Sequence, residues 1–392
     1  MLEPDQNMSP IQQEERRRVF WSFYLCDKLV SCGRERPSTI LEEHCSLQLP
    51  SDENEWRIGQ YQSTPTLETL RDENNTGAIN KLGPFAKTIV IASLLGRCTQ
   101  YTLGEQEETS PGVRMHPWNP RSKFSSIHSV ILEHESEFEL RESLSDKISR
   151  FCLSNDGTID LHRAAPLALY HALFFLCQCL VYHPFLIKRR LARVGQKAPL
   201  SFLIQTFNAC RLAAGSLSRL MGDVRSVTNE ALTTSYDPFY GYCTMVAGVI
   251  HSMFLHTDDS HNREAARLSL EASVQNLKEL SYYWKSCAMM LSRLEEFRLN
   301  SSRYASLVDP EAQEILLSTD DMNDLIDCLD YVKMSTTPHR RSASCAEIPA
   351  ISQLPSPFFE ELVNLLPVGG YNTESFGPAF GAPASNFGDG LG

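Results

Sequence analysis

No two of the twelve cysteines are spaced as Cys-x-x-Cys, so the chain lacks the paired-thiolate spacing that a compact structural zinc site uses. It also lacks Gly-x-Ser-x-Gly, a glycine-rich phosphate loop and His-Glu-x-x-His. No constellation for nucleophilic, phosphoryl-transfer or zinc hydrolytic chemistry can be assembled from its motifs, and the chain reads as no enzyme. Basic charge is in deficit: 36 Lys and Arg stand against 48 Asp and Glu, a net charge of −12. Residues 309–333 carry eight acids and one lysine, and residues 339–392 five acids and two arginines, so the remainder is nearly neutral. Such a distribution gives no electrostatic footprint for a phosphate backbone. The N-terminus has no apolar signal core. A single run, Pro166 to Ile187, is long and apolar enough to suggest a bilayer span. His171, Gln178 and His183 lie inside it and Pro184 interrupts it, so it reads as a buried core helix, with no membrane partner.

Helical periodicity dominates and strand alternation is sparse. Helices are expected from about Pro84 to Tyr101, Ser126 to Leu153, 163–187, 200–221 and from Arg263 to Leu299. Residues 38–80 and 104–123 read as irregular, punctuated by Pro50, Pro65 and Asn74-Asn75-Thr76-Gly77. Leu270, Leu277, Trp284 and Leu291 recur every seven residues. That spacing suits a two-chain coiled coil, hence a homodimer, or a seam within one chain; the flanking positions lack regular charge pairing, which favours the intrachain seam. Lys188-Arg189-Arg190 suits a helix C-terminus. His251, His256 and His261 stand five apart, about 140° around a helix at ~100° per residue, and cannot share one metal from a single straight helix. The scattered cysteines read as small buried apolar residues in a reducing compartment.

The stretch from Glu14 to Pro37 organises the rest. Three arginines run into Val19, Phe20, Trp21, Phe23, Tyr24, Leu25, Leu29 and Val30, a helix apolar nearly all round and therefore expected to be buried on several sides. Gly33 and Pro37 end it. Asp27 sits among the apolar residues and needs a partner if buried; Arg34 and Arg36 are the nearest cations beyond the turn, so an ion pair is expected there.

Arg16-Arg17-Arg18-x-Phe20-Trp21, then Asp27, then Cys32-Gly33-Arg34-x-Arg36-Pro37, followed by Leu49-Pro50-Ser51-Asp52-Glu53 and Trp56, resembles the middle homology region of fungal binuclear-zinc-cluster transcription factors. Leu95-Gly96-Arg97, Tyr182-His183-Pro184-Phe185 and the run from Asp237 to His251 are similar to later features of that family. The resemblance covers roughly residues 10–300. It implies a helical regulatory domain in the nucleus that controls RNA polymerase II transcription through coactivators or mediator-type proteins, with an effector ligand as a further input. DNA contact and zinc belong, in the family, to an upstream cluster that this sequence does not contain, so no cofactor is expected in this chain. The sequence starts about where that regulatory domain is half built, which implies a truncated gene model or a short form acting as a co-regulator or dominant-negative partner without DNA binding.

The expected architecture is all-α: an irregular multi-helix bundle over 1–308, an acidic amphipathic helix over 309–334, and a flexible, disordered tail over 335–392 with a short amphipathic helix at 357–366. In the acidic helix Met322, Leu325, Ile326, Leu329 and Val332 share a face amid aspartates; packing on the bundle and service as an activation segment are both open. In the tail, Leu362, Leu365 and Leu366 form a Leu-x-x-Leu-Leu pattern that, with Phe358 and Phe359 before it, suits a partner's groove. Ser342 and Ser344 follow Arg341 and read as phosphorylation candidates.

Overall fold

The computed structural model describes residues 8–34, 36–60, 62–71, 79–104, 115–137, 142–154, 156–195, 197–227, 237–312 and 314–336. All of these fall in one compact unit, residues 1–338. In order the α-helices are α1 (Pro10–Val30), α2 (Glu53–Arg57), α3 (Pro84–Thr102), α4 (Lys123–Glu137), α5 (Leu144–Phe151), α6 (Leu161–Val181), α7 (Pro184–Val194), α8 (Leu200–Val227), α9 (Pro238–Phe254), α10 (Ser260–Leu280), α11 (Lys285–Leu299), α12 (Ala305–Val308), α13 (Thr319–Cys328) and α14 (Tyr331–Thr336). Among the described residues the only β-type pairing is an isolated bridge between Leu153 and Ile159. The expected all-α, irregular bundle is what forms.

The helix starts follow local chemistry. Ser9 caps α1 in a reciprocal capping box with Gln12, and Pro10 takes the first turn, where its missing N–H costs nothing. Asp160, Asp237 and Asp259 cap α6, α9 and α10, each accepting a backbone amide of the first turn. α3 packs along α6, α6 on α8, α8 on α9, and α9 is embraced by α10 and α11. Every residue of α9 from Phe239 to Phe254 is buried, which makes it the axis of the C-terminal half. Gly248 lets α11 approach it: a Cβ there would lie 2.6 Å from a methyl of Leu294.

Several expected elements divide. The single helix expected over 126–153 is two, α4 and α5. The helix expected over 163–187 ends at Val181, and Pro184 opens α7 instead of merely breaking the run, because proline suits a first turn. The helix expected over 263–299 breaks at 281–284, so Leu270 and Leu277 lie on α10, Leu291 on α11 and Trp284 at the N-cap between them. Leu270 and Leu277 are buried within the bundle, and α10 packs on both α9 and α11. The apolar residues of α6 are likewise buried inside the bundle. α1 is not buried all round. Trp21 and Tyr24 are fully buried, but Val19 and Phe23 are 57% and 68% exposed, because α1 lies at the outside of the described bundle with one side against α3.

Candidate functional site

α1 serves as a template for the irregular chain that follows it. On its first half, Glu14 accepts the Ser51 amide at 2.9 Å and holds Arg17 and Arg18 at 3.2 and 3.0 Å. Arg17 donates to the Leu49 carbonyl and the Thr64 hydroxyl, and Arg18 to the Ser51 carbonyl at 2.8 Å. Arg18 also lies over the Trp56 ring, 4.2 Å from its centroid, and Trp21 donates its indole N–H to the Gln48 carbonyl at 2.8 Å. Two of the three consecutive arginines are therefore consumed in satisfying carbonyls of a loop that has no ladder of its own.

The second half of α1 does the same for residues 38–40. Asp27 accepts the Thr39 and Ile40 amides, both at 3.0 Å, and the Ser38 hydroxyl. Burial pulls its pKa upward, but the Ser38 hydroxyl and the Ile40 and Thr39 amides together hold it below the ordinary aspartate value. Lys28 adds bonds to the Ile40 carbonyl at 2.6 Å and to Ser38. The expected pairing of Asp27 with Arg34 or Arg36 does not form. Backbone amides 12 and 13 residues along the chain reach the carboxylate instead, while Arg36 is exposed and Arg34 is claimed from elsewhere.

Arg34 belongs to a clasp joining parts of the chain almost 300 residues apart. Its guanidinium pairs with Asp327 and lies 3.7 Å from Asp330. Asp330 is wholly buried and accepts the amides of Arg34 at 2.8 Å, Val332 at 3.0 Å and Lys333 at 3.2 Å. The Tyr331 amide donates to the Cys32 carbonyl at 2.8 Å, and Tyr242 of α9 donates to the Leu329 carbonyl at 2.7 Å. Gly33 makes room for this: a Cβ there would stand 2.4 Å from an oxygen of Asp330. Two further arginines reach the same helix, Arg293 to Asp324 at 3.3 Å and Arg303 to Asp321 at 2.7 Å. Burial raises the Asp327 pKa, outweighing the opposing charge of Arg34.

The acidic helix is thus docked. Leu325, Ile326 and Leu329 are buried and Met322 packs half-buried against the core, so its apolar face is not displayed as an activation segment would display it. In this structure three arginines and the Cys32 carbonyl receive the segment. Phe358, Phe359, Leu362, Leu365, Leu366, Ser342 and Ser344 lie outside the described residues, as does the tail from 337.

Sequence reasoning also missed Lys188. It does not complement a helix end: its ammonium is buried and donates to the carbonyls of Ser306 at 2.7 Å, Asp309 at 2.8 Å and Ala312. Burial brings its pKa down to about 8, with Asp309 opposing. Arg190, two residues on, lies 3.7 Å over the Tyr101 ring. Their apolar surroundings were the available signal.

Ser218 on α8 meets the His251 ring on α9 at 3.0 Å and Ser273 on α10 at 3.2 Å. Burial depresses the His251 pKa to about 4, and the ring is 2% exposed. Shut inside the core, this trio of side chains ties α8, α9 and α10 together. His256 contacts Ser301 at 2.9 Å and His261 is exposed, so the three histidines have separate surroundings. Among the described residues no group of three or more His, Cys, Asp or Glu is arranged to hold a metal ion. A cavity lined by Tyr101, Pro117, Phe124, Leu186 and Arg190 has room for about one water.

The model of the "Fungal specific transcription factor domain" matches residues 2–165. The chain is 34% identical over 101 residues to the sorbicillinoid biosynthetic cluster transcription factor 1 of Penicillium rubens, covering 26% of this chain and 16% of the relative. It is 34% identical over 88 residues to the asperfuranone cluster transcription factor of Emericella nidulans, covering 22% and 13%. A longer match, 23% identical over 332 residues, covers 81% of this chain and 29% of the Zn(2)-C6 fungal-type transcription factor FTF2 of Fusarium oxysporum f. sp. lycopersici. The matches span less than a third of the length of these relatives. No solved structure matches. Residues 2–165 therefore match the fungal specific transcription factor domain, and over part of its length the chain is similar to fungal transcription factors of the Zn(2)-C6 type.

Proposed function

We propose that this chain is the regulatory part of a fungal transcription factor, acting in the nucleus on RNA polymerase II transcription through protein contacts and not through catalysis. The observation that carries this reading is the match over residues 2–165, inside which Glu14, Arg17, Arg18, Asp27 and Lys28 are all engaged in holding their own chain. Polar groups so occupied build a scaffold and leave none of these residues for chemistry. Zinc and DNA contact are assigned to the parts of the longer relatives that this chain does not span. Activation is assigned to the segment 357–366, whose Leu-x-x-Leu-Leu pattern of Leu362, Leu365 and Leu366, with Phe358 and Phe359 before it, suits a groove on a coactivator.

The test is a fusion of the whole chain to an unrelated DNA-binding domain, read with a reporter gene. Reporter output is expected to change relative to the DNA-binding domain alone, and the change is expected to be lost when Phe359, Leu362 and Leu366 are replaced by alanine. A fusion that leaves the reporter unmoved would overturn the proposal.

A further inference from the structure

The clasp has the build of a contact made to be undone. Most of the interior is closed by apolar packing from several sides, as α9 is. The segment of α13 and α14 is held by buried Leu325, Ile326, Cys328, Leu329 and Met334, by the backbone bonds of the Cys32-Gly33-Arg34 turn to Asp330 and Tyr331, by Tyr331 against Phe239 and Tyr242, and around its rim by ions. Arg34, Arg293 and Arg303 come from three separate elements and each meets a different aspartate, Asp327, Asp324 and Asp321. Of these carboxylates, Asp324 is 49% exposed, Asp327 34% and Asp321 21%, so water and salt have access to all three pairs. The described residues of the stretch leading in, 309–312 and 314–318, contain no helix and display Leu316 at 79% exposure. Buried Lys188 holds the carbonyls of Asp309 and Ala312, so any turning of the segment begins beyond Ala312.

We propose that α13 and α14 are a latch: the bundle binds its own acidic amphipathic segment through the three arginines and the Cys32-Gly33-Arg34 turn, and the segment opens as a unit while the remaining helices stay folded. The closed latch keeps Leu325, Ile326 and Leu329 from any partner. The open one presents them, ringed by aspartates, to a groove that accepts an acidic amphipathic helix. This last step rests on the reading of the chain as a regulator acting through protein contacts. The latch itself rests on the geometry alone.

The test uses the whole chain and measures amide hydrogen exchange peptide by peptide, for wild type and for the double variant R34A/R303A, at about 0.1 M and 1 M salt. These salts carry Debye lengths of about 10 and 3 Å. Arg34→Ala keeps the Arg34 amide on Asp330, and Arg303 lies at the surface, so the variant is expected to fold. Exchange over 319–336 is expected to rise at least tenfold in the variant and to rise in wild type at high salt, with α3, α6 and α9 unchanged. If 319–336 exchanges only as fast as α9 under every condition, or if the whole chain accelerates together, the latch is overturned. The same variant fused to an unrelated DNA-binding domain separates the two claims. Opening with raised reporter output supports both. Opening with unchanged output keeps the latch and removes its regulatory use.

Discussion

Replacing Gly33 with alanine places one methyl against the most enclosed carboxylate of the clasp. The new Cβ would lie 2.4 Å from an Asp330 oxygen, 3.0 Å from its carboxyl carbon and 3.1 Å from a methyl of Val332. Asp330 cannot step aside freely, since the amides of Arg34, Val332 and Lys333 hold it at 2.8, 3.0 and 3.2 Å. Relief requires turning the carboxylate, at the loss of one or two charge-assisted bonds worth about 1.5–3 kcal/mol each, or shifting α14, an overpacking strain of about 1–3 kcal/mol. Alanine repays about 0.4–1 kcal/mol by restricting the unfolded chain. The net loss is therefore about 1–3 kcal/mol, read as a lower urea midpoint at unchanged slope. Gly215→Ala is the control. It sits inside α8 with nothing within 4 Å of the added Cβ, and helix propensity alone is expected to stabilise it by up to about 1 kcal/mol. If Gly33→Ala proves as stable as wild type, the close approach of Asp330 is wrong.

Three further outcomes follow from the same contacts. Asp27→Asn leaves the Thr39 and Ile40 amides with a weaker acceptor and is expected to cost about 1–2 kcal/mol in urea unfolding; an unchanged midpoint would remove its role in holding residues 38–40. Burial is the largest cause holding His134 and His251 at about 4 and His171 and His183 at about 3. Their folded pKa values lie below the unfolded value near 6.5, so the unfolded chain binds the extra protons, and stability present above pH 6.5 drains away as pH falls towards 4. One unit below 6.5 each histidine costs about 1.4 kcal/mol, so circular dichroism is expected to show unfolding near pH 5, and a native signal at pH 4 would contradict this. A gel-shift assay at moderate salt is expected to show no sequence-specific DNA affinity, as the acidic charge balance implies; a shifted band competed only by specific sequence would refute it.

What could be read from the sequence was what a single element determines by itself. Apolar periodicity and local start signals gave α3 nearly at its true bounds and the starts of α6 and α8, since capping is local chemistry, while the resemblance of the run from Asp237 to His251 placed α9. The motif from Glu14 to Pro37 was recognisable as a unit, but its wiring was not. Asp27 was assigned to nearby cations because like chemistry suggests ion pairs, yet unpaired amides in an irregular loop compete equally well for a carboxylate. Arg34 found its partners 293 and 296 residues away, and no spacing rule extends so far. Lys188 was hidden for the reverse reason: three basic residues in a row look solvated, and only the packed helix shows which of them points inward. The break at 281–284 was missed because the apolar pattern continues through it, whereas Pro184 marked the other interruption without showing that it opens a new helix.

The claim at the centre of this account is that the Cys32-Gly33-Arg34 turn exists to hold the acidic segment, and a double-mutant cycle on Arg34→Ala and Asp327→Ala reads it directly. In urea unfolding the two losses are expected to be non-additive by about 1 kcal/mol, the coupling suited to a partly exposed ion pair. Losses that simply add, within about 0.3 kcal/mol, would show that Arg34 and Asp327 do not act on one another and would contradict the clasp.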